Sequence, residues 1–128
     1  MTIKVVAGLI NFNGKYFIGK RLFGEPAGKY EFPGGKIEPN ETPENAIKRE
    51  IKEELNVNIK VNRFLKTITY QYPTRSIELS LYLCTYIAGT IRLDSHSDYE
   101  LINLVDLPKY QLAPADKEFI PFLLSTKL

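Results

Sequence analysis

The feature that most constrains this chain is the stretch Gly35–Val57, which is typical of a loop followed by a single uninterrupted helix. Thr42 is a favourable N-cap because its hydroxyl can accept a hydrogen bond from a free backbone N–H one turn later. Pro43 suits the first helical position. No glycine or further proline interrupts Pro43–Leu55, and Asn56 tolerates the left-handed conformation that ends many helices. The sequence therefore predicts a helix over Pro43–Leu55.

This helix carries negative charge where its own dipole disfavours it. Glu50, Glu53 and Glu54 lie in its C-terminal half, where the macrodipole destabilises each anion by about 0.3–1 kcal/mol. At about 100° per residue, the carboxylates share one face beside an apolar stripe. One interpretation is a solvated acidic face. The other is a site for a hard divalent cation, because such ions prefer oxygen ligands.

The fixed residues around the helix follow a longer pattern. Gly35 is followed after five residues by Glu41, and after seven more by Arg49-Glu50-Ile51-Lys52-Glu53-Glu54-Leu55-Asn56-Val57. This closely resembles the Nudix box, G-x5-E-x7-R-E-U-x-E-E-x-G-U, in which U is apolar. Asn56 stands where the family has glycine, and we expect the helix end to survive because Asn tolerates positive φ.

The resemblance implies the α/β Nudix fold, an α/β/α sandwich with a central mixed β-sheet, and a hydrolase acting on a nucleoside diphosphate linked to another group. It places a metal ion, expected to be Mg²⁺ with Mn²⁺ as a substitute, at the Gly34 carbonyl and at Glu50, Glu53 and Glu54. With Arg49 and Glu41 as orienting groups, these three glutamates form the expected catalytic set. The alternative for Arg49 is an ordinary i,i+4 ion pair with Glu53.

The catalytic base is left open by the sequence. MutT-like relatives place a further acidic residue on a loop beyond the central strands, and that position aligns with Ser95 here. Asp94 or Asp98 can take its place, or one of the last two helix glutamates can act as the base. His96 is the only histidine in the chain, and an imidazole is a side chain that can transfer protons, but a lone loop histidine is more often a solvated side chain.

Three stretches outside the box resemble nucleotide-contacting segments of MutT-like enzymes: KYEFPGGKIE (29–38), YPTR (72–75) and LAPAD (112–116). The expected substrate contacts, including an arginine at the end of the second strand, are Arg21, Phe32, Gly35, Tyr72, Arg75 and Asp116. Guanidinium groups suit phosphate oxygens, glycine allows close backbone approach, and the aromatic rings would flank the base. For both aromatic residues the alternative is core packing.

Asp116 lies in a segment that MutT-like and CTP pyrophosphohydrolase-like enzymes use to read the base. A carboxylate accepts hydrogen bonds, so it favours amino groups such as cytosine N4 or the N1/N2 edge of guanine. The alternative is that Asp116 only caps the last helix, because Asp is a good cap.

The remaining chain is predicted to form strands around two helices. The predicted strands are Thr2–Asn11 and Lys15–Arg21, joined at Asn13-Gly14, then Tyr30–Phe32, Val57–Tyr72, Ile77–Ala88 and Tyr99–Val105. Leu22–Lys29, with two glycines and a proline, is predicted to be a flexible loop. A final helix is predicted from about Ala115 to Leu124.

Composition narrows the class of protein. At 128 residues with 44% hydrophobic residues, we expect a single Nudix domain over residues 1–128. The net charge of +2 is too small to indicate a nucleic-acid polymer or a membrane surface as a partner. Cys84, in an apolar strand-like run, is expected to be buried and inert. We expect a cytoplasmic monomer or homodimer with a small-molecule nucleotide substrate.

The predicted activity is hydrolysis of a (deoxy)nucleoside triphosphate to the monophosphate and pyrophosphate, in nucleotide-pool housecleaning. 8-oxo-dGTP and CTP or dCTP are the candidate substrates. One alternative is a Nudix hydrolase for ADP-ribose or a dinucleotide. The other is a non-catalytic nucleotide sensor, although such modules typically lose the box carboxylates, which are intact here.

Overall fold

The structure is a computed structural model that describes residues 1–22 and 27–128. Its strands are β1 (Thr2–Phe12), β2 (Lys15–Arg21), β3 (Tyr30–Glu31), β4 (Gly34–Lys36), β5 (Asn58–Tyr72), β6 (Arg75–Ala88) and β7 (His96–Ile102). The helices are α1 (Pro43–Leu55), a 3-10 helix (Leu104–Lys109), α2 (Pro114–Lys117) and α3 (Ile120–Ser125).

The strands form one mixed sheet in the order β3-β2-β1-β6-β5, with β4 also paired to β1 and β7 to β2. Only β1 and β6 run parallel among the described strands, from Thr2 beside Ser76 to Asn11 beside Thr85. The predicted hairpin between β1 and β2 is confirmed, and Asn13 and Gly14 both have positive φ. Two-residue hairpin turns require this conformation.

Alternation along β1 divides the core into two layers. Val6 and Ile10 pack on one face of the sheet with α1, while Ala7 and Leu9 pack on the other with α3 and the 3-10 helix. Because successive strand residues point to opposite faces, a central strand buried on both sides is apolar at every position. The predicted α/β sandwich with a mixed central sheet is confirmed.

Helix α1 has the predicted bounds and the predicted caps. The Thr42 hydroxyl accepts a hydrogen bond from the Asn45 N–H at 3.1 Å. Asn56 is left-handed, with φ 61°, and its N–H donates to the Lys52 carbonyl. Asparagine therefore does what glycine does in the family pattern, and the helix ends at the same place.

Two predicted boundaries in the C-terminal third are wrong. The strand predicted over 99–105 runs instead over His96–Ile102, and its last residue pairs with Tyr16 near the start of β2. The helix predicted over 115–124 is two helices, α2 and α3. Pro121 has no N–H to donate to the carbonyl of Lys117, so the first helix stops and a second begins at Ile120.

Three further observations concern Cys84, the loop after β2 and the length of the helices. Cys84 is buried, as predicted, and burial raises the pKa of its thiol to about 12. Part of the predicted loop over 22–29 lies outside the described residues. Of the helices in the described ranges, none is long and apolar enough to cross a membrane.

Candidate active site

A cleft of about 300 Å³ opens where α1, β3, β4 and α2 meet on the sheet. All six predicted substrate contacts line it, together with two of the predicted metal-binding positions, Gly34 and Glu54. The segment before α2 is tied to β3, since the Ala113 N–H donates to the Tyr30 carbonyl at 2.8 Å. Residues far apart in the sequence thereby line one concave site.

Two carboxylates from the end of α1 face the Gly34-Gly35 segment. Glu54 Oε1 accepts a hydrogen bond from the Gly34 N–H at 3.2 Å. The Glu50 carboxylate lies so close to Gly35 that a Cβ at this position would collide with it. Gly35 therefore leaves room for the Glu50 carboxylate in its present position, and a larger residue here would displace that carboxylate.

These two carboxylates are costly to ionise in this structure. Burial raises the pKa of Glu54 to about 8, and the nearby Glu31 and Glu50 carboxylates contribute to the rise. Burial also raises the pKa of Glu50, more than its hydrogen bond with Arg49 lowers it. Desolvated carboxylates of like charge favour the protonated form unless a cation compensates them.

Arg49 holds the acidic residues around α1 in place. Its Nε and Nη2 donate to the two oxygens of Glu41 at 2.7 and 2.9 Å, and its Nη1 donates to Glu50 Oε1 at 2.8 Å. The hydrogen bonds from Arg49 lower the pKa of Glu41 to about 2. The i,i+4 pair with Glu53 is also present at 3.5 Å, so the contacts that each interpretation of Arg49 requires are present, and the orienting role stays a prediction.

We expect Arg49→Lys to lower kcat about 10- to 100-fold, the usual range for loss of a group that orients metal ligands. An ammonium cannot reproduce the two-pronged contact with Glu41 while also reaching Glu50. Steady-state kinetics with a divalent cation measures the effect. Lys48→Arg, on an exposed neighbouring position of the same helix, is the matched control. Unchanged kcat in Arg49→Lys would contradict the orienting role.

The donor set fits a hard divalent cation, because it consists of carboxylate and carbonyl oxygens. Glu53, with its side chain 59% exposed, is turned outward, and within the described part of the chain no three His, Cys, Asp or Glu side chains converge on one point. Glu54, together with Glu50, whose pKa stays raised despite its pairing with Arg49, supplies the charge that such an ion would neutralise. Glu50, Glu54 and the Gly34 backbone would hold it, with Glu53 adjacent.

A hydrogen-bond network that runs inward from the cleft contains Glu31 and His96, whose places in the structure the sequence did not predict. Glu31 is not among the predicted contacts, yet it accepts from Arg21 Nη1 at 2.8 Å and faces His96 Nε2 at 3.0 Å. The solvated interpretation of His96 is wrong, since the side chain is 0% exposed. Gly19 within β2 was the available signal, because an isolated strand glycine often marks a close approach.

Asp116, in α2, also lines the cleft. Its Oδ1 accepts a hydrogen bond from the Phe32 N–H at 3.0 Å. Neither α2 nor α3 receives a side-chain cap, so the capping interpretation of Asp116 is wrong. Burial and the nearby Glu31 carboxylate raise the pKa of Asp116 well above its usual range.

The two aromatic side chains predicted to contact the substrate, Phe32 and Tyr72, both pack in the core and line the cleft. Phe32 is buried and meets Phe119 edge-on, with ring centroids 6.3 Å apart, yet it also lines the cleft. Tyr72 is partly buried against the same core, and the Arg75 guanidinium lies 5.8 Å from its ring centroid. Of Asp94, Ser95 and Asp98, all within the described residues, only Ser95 lines the cleft.

Comparison with known proteins decides the family. Residues 2–123 match the NUDIX domain. The chain belongs to the Nudix family. Divalent metal use is general among Nudix hydrolases, in keeping with the oxygen donors at the end of α1.

Three similar proteins extend over most of this Nudix chain. The CTP pyrophosphohydrolase of Escherichia coli (strain K12) is 33% identical over 122 residues, which cover 94% of this chain and 88% of that protein. The 8-oxo-dGTP diphosphatase of the same organism is 33% identical and covers 92% and 93% of the two chains. The solution structure of the E. coli ORF135 protein is 30% identical, with a TM-score of 0.83, and covers 97% and 87%. The resemblance seen in the sequence is confirmed, and this protein is a Nudix hydrolase.

Proposed function

We propose that this Nudix hydrolase cleaves (deoxy)nucleoside triphosphates to a nucleoside monophosphate and pyrophosphate. The oxygen of water forms a new bond to phosphorus as the phosphoanhydride bond between the α- and β-phosphates breaks, and the proton that water loses passes to solvent. The observation that carries the proposal is the make-up of the cleft, whose lining brings the carboxylates of Glu54 and Asp116 together with the guanidinium groups of Arg21 and Arg75.

This arrangement suits a nucleotide lying along the cleft. A volume of about 300 Å³ is at the lower end of the range for small-molecule sites. The phosphates would lie toward α1, where the arginines can pair with their oxygens. The base would lie between Phe32 and Tyr72, with Asp116 at its edge. The similar proteins named for 8-oxo-dGTP and CTP support this substrate class.

The chain's own residues would divide the work. Arg21 and Arg75 would bind the substrate, Asp116 would read the base, and Arg49 with Glu41 would keep Glu50 in its orientation. Glu50, Glu53, Glu54 and the Gly34 carbonyl would hold a divalent cation, for which we propose Mg²⁺ with Mn²⁺ as a substitute. When bound, such an ion neutralises phosphate charge during the reaction.

Asp116, the proposed contact to the base, favours a substrate whose base has an exposed amino group. Because Asp116 accepts from Phe32 through one oxygen, the other oxygen remains for the ligand. An amino group facing the carboxylate would offset the burial that raises its pKa, and the ionised carboxylate would then accept from cytosine N4 or from the N1/N2 edge of a guanine-type base. We propose a cytoplasmic housecleaning role for a single-domain monomer or homodimer.

The test is kcat/KM with Mg²⁺ for dGTP, 8-oxo-dGTP, dCTP, 5-methyl-dCTP and CTP, with ADP-ribose and a dinucleoside polyphosphate as competitors. We expect at least one triphosphate with an amino-bearing base to exceed both competitors by about 100-fold or more, as expected when buried polar groups of the site are left unpaired by the wrong ligand. Preference for ADP-ribose or the dinucleotide would overturn the triphosphate assignment. Binding without turnover of any compound would favour the sensor alternative.

A further inference from the structure

We propose that His96 and Glu31 are positioning residues for Arg21. In this arrangement the imidazole fixes the Glu31 carboxylate, and the carboxylate holds the guanidinium toward the cleft. The inference rests on the proposed function, because it assumes that Arg21 binds a phosphate of the substrate.

Three strands contribute one side chain each to this network. His96 Nε2 in β7 lies 3.0 Å from Glu31 Oε2 in β3. Arg21 Nη1 in β2 donates to Glu31 Oε1 at 2.8 Å. Both carboxylate oxygens are thus engaged from different directions, which leaves Glu31 little rotational freedom and orients the guanidinium bound to it.

The backbone explains how a histidine reaches across a whole strand. Gly19 of β2 pairs with Glu31 on one side and with Tyr99 of β7 on the other. A Cβ at Gly19 would lie 2.6 Å from His96 Cδ2, so the ring crosses β2 directly over this glycine. The β2–β7 register shifts after Lys20, and this irregularity brings Arg21 opposite His96.

Exposure decreases steadily from the cleft inward. The Arg21 side chain is 32% exposed, that of Glu31 is 16% exposed and that of His96 is 0% exposed. Burying an imidazole costs free energy unless it is hydrogen-bonded, and the bond to Glu31 is the one it makes among the described residues. An apolar side chain would fill the same space without that cost, so the bond to Glu31 is the property that histidine adds.

The network also assigns the tautomer of His96. An ionised carboxylate only accepts hydrogen bonds, so the ring hydrogen lies on Nε2. Its Nδ1 has no hydrogen-bond partner in the described ranges. Because His96 is the only histidine in the chain, a ¹⁵N spectrum of the imidazole reports this tautomer without ambiguity. An Nδ1–H tautomer would overturn the proposed network.

Two variants separate positioning from mere packing. His96→Leu fills the space of the ring with an apolar side chain and removes the N–H donor. We expect it to raise KM for the triphosphate about tenfold or more, the equivalent of one charge-assisted hydrogen bond. We expect a smaller change in kcat, because substrate binding rather than the chemical step is affected. His96→Gln retains an N–H donor and is expected to recover most of the lost affinity. Equal KM values for Leu, Gln and wild type would overturn the proposal.

A double-mutant cycle tests whether His96 acts through Arg21. We expect His96→Leu to change KM much less in an Arg21→Ala background than in wild type, because residues acting through one another are non-additive. Equal effects in both backgrounds would overturn the proposal. Should His96→Leu fail to fold, Gly19→Ala displaces the ring while leaving all three side chains of the network unchanged, and it is expected to raise KM in the same way.

Failure of the positioning role differs from failure of the proposed function. If the wild-type protein turned over no triphosphate, the proposed function would fail, while the tautomer of His96 would still test the contact with Glu31. If the wild type were active and the cycle additive, the positioning role alone would fail.

Discussion

Exchange of Glu54 for glutamine will lower kcat by about 100- to 10,000-fold and, without divalent cations, make the folded protein more stable. The loss of activity follows from removing a charged ligand of the proposed metal site, which supplies several kcal/mol of transition-state stabilisation. Each 1.36 kcal/mol corresponds to a tenfold change in rate. Steady-state kinetics with saturating Mg²⁺ measures this part.

The gain in stability follows from the direction of the pKa shift. The pKa of Glu54 is about 8 in the folded state, against 4.5 for an unperturbed glutamate, so folding favours the protonated form. The free energy of unfolding therefore falls as pH rises from about 4.5 to 8. At pH 7 a neutral glutamine avoids a penalty of up to about 3 kcal/mol, which corresponds to a rise in Tm of roughly 5–10 °C. Thermal unfolding in EDTA measures it.

Two other glutamates of α1 provide matched controls. Glu53→Gln is expected to lower kcat but leave Tm unchanged, because the Glu53 side chain is 59% exposed. Glu44→Gln, exposed in the first turn of the helix, is expected to change neither. Wild-type turnover in Glu54→Gln would refute the metal assignment. A Tm that does not rise in EDTA would show that Glu54 is better solvated than its position here indicates.

Exchange of Asp116 for asparagine will reverse the preference between cytosine and uracil nucleotides. Oδ1 of Asp116 already accepts from the Phe32 N–H, so an asparagine that keeps this bond presents its amide N–H₂ to the cleft. The site then donates where it formerly accepted. Cytosine N4 is a donor and uracil O4 an acceptor, and each good pairing contributes about 1–3 kcal/mol.

Because one pairing is lost and another gained, the ratio of kcat/KM for dCTP to that for dUTP is expected to fall by about 30-fold or more. Competition between the two triphosphates measures the ratio directly. Thermal unfolding of Asp116→Asn serves as a control for structural damage. A ratio that changes less than about threefold, well short of one lost pairing, would show that Asp116 does not contact the base.

The predictable part of this molecule is the part encoded locally. Thr42, Pro43 and Asn56 specify where α1 begins and ends through interactions within one turn. The hairpin at Asn13-Gly14 is likewise a two-residue property. The acidic helix and its family pattern could therefore be located from sequence alone. The same is true of those cleft-lining residues that lie within recognisable motifs.

The missed part depends on contacts between distant strands. Glu31 and His96 are 65 residues apart and meet because Gly19 lets a ring cross a strand. Nothing in either residue's own neighbourhood indicates the other. The split of the last helix, in contrast, has a local cause. Pro121 lies inside the predicted helix, and a proline there cannot continue it.

The parallel pairing of β1 with β6 has a consequence for how the enzyme is made. Thr2 pairs with Ser76, so the parallel pair at the centre of the sheet cannot form until more than half of the chain has left the ribosome. Until then the core layer that contains α1 lacks Cys84, the buried β6 side chain of that layer. Nascent chains arrested before β6 emerges should therefore not hydrolyse nucleotides, and competence should appear only once Asp116, which follows β6 and lines the cleft, has also emerged.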